Sequence, residues 1–128
     1  MQKTVFQIKK VEVKEFKPKE GLSVIKITYS KNGEQKQITK SFHLSNPVEV
    51  VNKIILEVKS ADKVIIEESD DILQNIYITR IENEEEIEEK LLFFFQSLCS
   101  KFSRIKTMNK ANDYMKLYDE IKTTKLIL

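Results

Sequence analysis

Tryptophan is absent from this chain, and cysteine, histidine, glycine and proline are nearly so. A single cysteine, Cys99, excludes an internal disulfide, and its place on an apolar helical stripe makes it a small core hydrophobe rather than a nucleophile. A single histidine, His43, excludes His-based metal clusters. It closes an alternating stretch with no Ser, Cys or Asp set beside it by a recognisable motif, so a structural or surface role is expected in place of general-base work. The two glycines, Gly21 and Gly33, lie far apart and each suits a turn, which leaves no phosphate-binding loop. No run approaches the roughly 18 apolar residues of a membrane span, and Met1-Gln2-Lys3-Thr4 lacks the apolar segment of a signal peptide. The expectation is a cytoplasmic protein that is not an enzyme and carries no cofactor and no metal.

What the chain does have is charge, 33% of its 128 residues, and a hydrophobic content of 41%, enough for one core and one domain spanning 1–128. The net charge of +2 conceals blocks. Residues 1–45 hold ten lysines and four acids, 46–90 five basic residues and thirteen acids, and 91–128 seven basic residues and three acids. Basic flanks thus surround an acidic centre, a pattern read first as intramolecular complementarity and solvated faces.

The strongest single element is a long amphipathic helix over 83–105. Asn83 is expected to cap it, with Glu86 reaching back to the cap. Glutamates crowd its start and Lys101, Arg104 and Lys106 its end, each matched to the dipole. Ile87, Leu91, Phe94, Leu98, Phe102 and Ile105 recur at steps of three and four, widened by Leu92, Phe95 and Cys99. Phe93 falls between the stripes, at the edge of the buried arc or on a second contact surface.

In chain order, Val5 to Phe16 reads as a strand whose apolar phase slips from Phe6 and Ile8 to Val11 and Val13; a bulge at Lys9 and Lys10 restores one face. Lys17 to Gly21 is a loop. Asn32-Gly33 suits a type I′ turn in a hairpin from Leu22 to Leu44, where paired residue numbers sum to 65. That register places Ile25, Ile27, Tyr29, Ile38 and Phe42 on one face and Val24, Lys26, Thr28, Gln37, Thr39, Ser41 and His43 on a wet one. Asn46-Pro47-Val48-Glu49 signals a helix start, with Val51, Ile54, Ile55 and Val58 inward as far as Ser60, although six β-branched residues and the alternation of Val48, Val50, Ile54, Leu56 and Val58 also fit a strand. Lys63–Glu68 and Ile72–Ile81 read as strands. A last helix over 110–122 is expected to bury Ala111, Tyr114 or Met115, Tyr118 and Ile121. The expected architecture is α+β, a mainly antiparallel sheet of about five strands packed on a long C-terminal helix plus two shorter helices, in the order β-β-β-α-β-β-α-α.

Three functions compete. The leading expectation is a small non-catalytic interaction or regulatory protein that binds another protein or itself, through Phe93 or the apolar end Leu126, Ile127 and Leu128; no small-molecule ligand is indicated. The alternative is a nucleic-acid-binding accessory protein using Lys9, Lys10, Lys14, Lys17, Lys19 and Lys26 on a sheet face and its adjoining loop. Two features weaken it: only Arg80 and Arg104 among 22 basic residues are arginines, and Tyr29 and Phe42 point to the other face. The remote alternative is a metal-dependent hydrolase built on Glu67, Glu68, Asp70 and Asp71, whose spacing matches no calcium loop.

Overall fold

A fifteen-residue strand, β1 (Lys3–Lys17), runs through the middle of the sheet. The structure, a computed structural model, describes residues 3–61, 78–107 and 111–128. One edge of β1 pairs along nearly its whole length with β2 (Leu22–Lys31), which pairs in turn with β3 (Glu34–His43). The other edge is shared. β4 (Ile78–Ile81) takes Lys3 to Phe6 in parallel, and β5 (Lys125–Ile127) takes Lys10 to Glu12 antiparallel. Three helices, α1 (Pro47–Ser60), α2 (Glu84–Lys106) and α3 (Ala111–Thr123), pack with one face of that sheet into a single buried core.

The phase slip in β1 is a bulge, as expected: the register with β2 shifts between Ile8 and Lys10, leaving Lys9 unpaired against it. A second shift between Val13 and Glu15 follows the same logic, so that Phe6, Ile8, Val11, Val13 and Phe16 all turn inward. In the hairpin every β2–β3 pair sums to 65, from Leu22 with His43 to Lys31 with Glu34. Its turn has the two positive φ values a type I′ turn demands, 48° at Asn32 and 88° at Gly33. Asn32 also anchors the turn to β1, its amide donating to the Val5 carbonyl at 3.0 Å and its Oδ1 accepting from the Val5 amide at 3.0 Å.

Residues 47–60 are helical. Asn46 Oδ1 accepts from the Glu49 amide at 3.3 Å, Pro47 occupies the first turn, and Val50, Val51, Ile54, Ile55 and Val58 are buried. Tertiary burial of that stripe outweighs the unfavourable propensity of its β-branched residues. The long helix buries Ile87, Leu91, Phe94, Phe95, Leu98, Cys99, Phe102 and Ile105, with Leu92 partly buried. At roughly 1.5 to 3 kcal/mol for each large side chain, this is the major helical contribution to the core.

Several expectations need correction. The sheet is mixed rather than mainly antiparallel, because the crossover through α1 returns the chain beside β1 in the same direction. The element order among the described residues is β-β-β-α-β-α-α-β, with the long helix the middle of three rather than C-terminal. The proposed strand Lys63–Glu68 and the first part of Ile72–Ile81 lie outside the described residues. Asn83 does not cap α2 with its side chain: at φ 53° it makes a left-handed turn, and only its carbonyl serves the helix, accepting from the Ile87 amide at 3.0 Å. Glu86 turns instead to Lys90, 2.9 Å away. In α3 the core position is Leu117 together with Ile121, flanked by the partly buried Tyr114 and Tyr118, while Met115 is exposed. The side chain of Ala111 lies outside the described residues.

The two turn glycines separate two costs. Both have positive φ, but a Cβ at Gly21 would lie 3.1 Å from Phe102 Cζ whereas one at Gly33 would meet nothing within 4 Å. Gly33→Ala should therefore lose about 1 kcal/mol for its left-handed backbone, and Gly21→Ala visibly more. Equal losses in urea denaturation would refute the role given to Phe102. Deleting Lys9 should leave a cooperatively folded protein, since with one residue fewer Ile8 and Lys10 meet the consecutive partners Tyr29 and Thr28, and Val11 and Val13 alternate in phase with Phe6 and Ile8 without a bulge. Loss of cooperative unfolding would refute the bulge as the device that sets the phase. Lys9→Ala, which keeps the residue count, should stay within about 0.5 kcal/mol of the native protein.

Candidate functional site

Among the described residues, the outer surface of the helical layer carries a concavity. Lys59 near the end of α1 meets Glu84 at the start of α2, and Val48 at the start of α1 shares a lining with Leu92 further along α2, so the two helices run antiparallel. Between them lies an open groove of about 350 Å³ lined by Val48, Val51, Asn52, Leu92 and the carboxylates Glu85, Glu88 and Glu89. Its volume is at the lower end of the ~300 to 1,000 Å³ usual for ligand sites. A shallower depression on α1 continues from Val48 and Asn52 past Lys53 to Leu56. Val48, Asn52 and Leu56 stand four residues apart, one row along the outer face of the helix.

Large apolar side chains on this surface are left uncovered: Val48 is 53% exposed, Leu56 63% and Phe93 77%. Phe93 follows the groove residue Leu92 but is turned out of the core that takes Phe94 and Phe95. Phe93 was among the sequence candidates; Val48 and Leu56 were not singled out as contact residues. Their signal was present, since both belong to the strand-like alternation and both fall off the helical stripe once α1 is assigned.

The lysines gather differently. Lys10, Lys14 and Lys26 surround Glu12 at 3.5, 3.6 and 4.0 Å on the sheet face opposite the helices. Lys9 is exposed in the bulge, and Lys17 and Lys19 are exposed at the β1–β2 turn, apart from this cluster in the chain. Gln37, Thr39, Ser41 and His43 are exposed on the same open face, with Lys26 and Val24 half-buried and Thr28 buried. Tyr29 and Phe42 are buried on the core side, so among the described residues no aromatic ring is presented beside the lysines. Glu12 is pushed up by burial, but Lys10, Lys14 and Lys26 more than reverse this and hold its carboxyl below the ordinary value of 4.5.

The apolar end of the chain divides. Leu126 pairs beside Val11 and, like Leu128, packs partly buried against the core, while Ile127 points to the open face beside Lys10 and is 70% exposed. The Leu128 amide donates at 2.8 Å to the carbonyl of Lys9, the bulge residue of β1. Cys99 is buried, and burial raises its thiol to about 11, which keeps it protonated and unreactive at neutral pH. The carboxylates Glu67, Glu68, Asp70 and Asp71 lie outside the described residues. No helix among the described residues is long and apolar enough to cross a membrane. No family model matches the chain, and no curated protein or solved structure shows a significant match to it.

The Glu12 cluster has a defined pH signature. A carboxyl held below its unfolded value adds stability that is complete above the ordinary carboxylate range and is lost as pH falls through the lowered folded value. Native protein should therefore melt above Glu12→Gln at neutral pH, and the difference should shrink to nothing as the solution is acidified well below 4.5. A difference independent of pH would assign the effect to packing.

Proposed function

We propose that this protein is a non-catalytic interaction module that binds another protein through the outer surface of α1 and α2. The observation that carries this reading is the exposure of Val48, Leu56 and Phe93 along that surface, next to a groove whose floor is apolar. Exposed apolar side chains scattered singly are ordinary, but three on two adjoining helices, two of them lining depressions, form the kind of surface that association covers. Tyr, Trp, Phe and Met are the residues that interfaces favour, and Phe93 is the exposed phenylalanine of this layer.

A second reading, nucleic-acid binding, draws on Lys10, Lys14 and Lys26 meeting on one open sheet face. It is the weaker of the two. Glu12 sits among the three lysines and offsets one of their charges, and the face offers no stacking surface among the described residues. If nucleic acid were the partner, Lys10→Glu with Lys26→Glu would remove its binding, and salt would strip it from protein isolated at low ionic strength.

Site-specific photo-cross-linking in cells that make the protein tests the first reading. A cross-linker at position 56 or 93 should give a discrete protein adduct that the same group at position 19 does not. A cross-linker at position 48 should give an adduct that Phe93→Ser with Leu56→Ser weakens, while those substitutions change stability by no more than about 0.5 kcal/mol per site, as expected of exposed positions. Identical patterns from positions 19, 56 and 93 would remove the helical surface from consideration.

A further inference from the structure

Ion pairing sorts the glutamates at the start of α2 into two sets. Glu84 is paired with Lys59 at 2.5 Å and Glu86 with Lys90 at 2.9 Å. Glu85, Glu88 and Glu89, the three that line the groove, have no lysine or arginine within 4.0 Å among the described residues. Nor are the cations of α1 at liberty to serve them: Lys53 is paired with Glu49 at 2.7 Å and Lys59 with Glu84. The helix dipole accounts for acid in the first turn, where Glu85 lies, but the effect fades within that turn, before Glu88 and Glu89. Three like charges are thus held together beside the apolar side chains of Val48, Val51 and Leu92.

The groove has the form in which one helix receives another. Two antiparallel helices leave a furrow along their seam, and a third helix laid in it packs by the same ridge-and-groove geometry that joins the first two. Resting on the interaction reading above, we propose that the α1–α2 groove docks a basic amphipathic helix of a partner protein. Its apolar side chains lie over Val48, Val51 and Leu92, and its lysines or arginines reach Glu85, Glu88 and Glu89. The apolar contact supplies most of the attraction, while the carboxylates set which helices are accepted and hasten their encounter.

Fluorescence anisotropy with two synthetic amphipathic helices, one of leucine and lysine and one of leucine and glutamate, tests this. The lysine peptide should bind at least about tenfold more tightly, a preference that narrows as salt is added. The variant E85K/E88K/E89K should reverse the preference, whereas D113K/D119K on α3 should leave it unchanged. Val48→Asp, at a half-exposed position, should weaken the lysine peptide without altering the far-ultraviolet circular dichroism.

Equal binding of the two peptides, or a preference untouched by the triple reversal, overturns the proposal. So does binding of neither peptide, and in that case adducts from positions 56 and 93 would show that the interaction surface stands while its assigned occupant falls. A dimer in light scattering that Val48→Asp dissolves would give the groove to a second copy and equally overturn it.

Discussion

Keeping the apolar side chains of β1 on one face is the constraint from which the rest of the architecture follows. A regular strand of this length would place Phe6 and Ile8 on one side and Val11 and Val13 on the other. Two register shifts, at Lys9 and Lys14, return all of them and Phe16 to the core. That continuous surface is what the helices pack upon: Phe16 meets Phe102 of α2 edge-on at 5.8 Å and Tyr118 of α3 at 5.6 Å, while Phe6 lies 5.9 Å from Tyr29 on β2. The Tyr118 hydroxyl donates to the Phe16 carbonyl at 3.4 Å, so the same residue joins strand and helix through both ring and backbone.

The sheet and helical layers differ in chemistry as well as in shape. Lysines of the first 45 residues are spread over strands and turns, where Glu12 gathers three of them. The described acids of the central block are concentrated along α1 and the start of α2, where Glu84 is neutralised across the seam by Lys59, Glu49 and Glu86 by lysines of their own helices, and others line the groove. Internal complementarity therefore explains part of the block pattern. The remainder is displayed outward, negative carboxylates beside the groove and lysines on the uncovered sheet, giving two surfaces that would select different partners.

Legibility in the sequence depended on how local the deciding physics is. Asn32-Gly33 specifies its turn through backbone conformation, and the register of the hairpin follows by counting outward from it. Asn46 and Pro47 mark the start of α1 in the same local way. The parallel placement of β4 was not readable, since nothing within Ile78 to Ile81 records which strand it will meet or in which direction. β5 is only three residues long, too short for a periodic signal. Asn83 misled because cap chemistry presumes an extended backbone, and a left-handed turn after β4 left its side chain without that role. For the candidate site, Phe93 was legible as the residue left outside a helical stripe. Val48 and Leu56 were obscured because two periodicities overlapped in one segment, and the groove itself depends on how two distant helices come together.

The shared edge of β1 has a kinetic meaning. Its partners on that side come from residues 78–81 and 125–127, whereas β2 follows β1 after a four-residue turn and β3 follows β2 after two. Closing a long loop costs entropy before any hydrogen bond repays it, so contacts near in sequence form first. The three-strand meander is thereby set up as the early-forming unit, with β4 and β5 zipped onto its exposed flank later. Amide protection along β1 during refolding should consequently appear in two stages, the flank facing β2 ahead of the flank that waits for the distant strands.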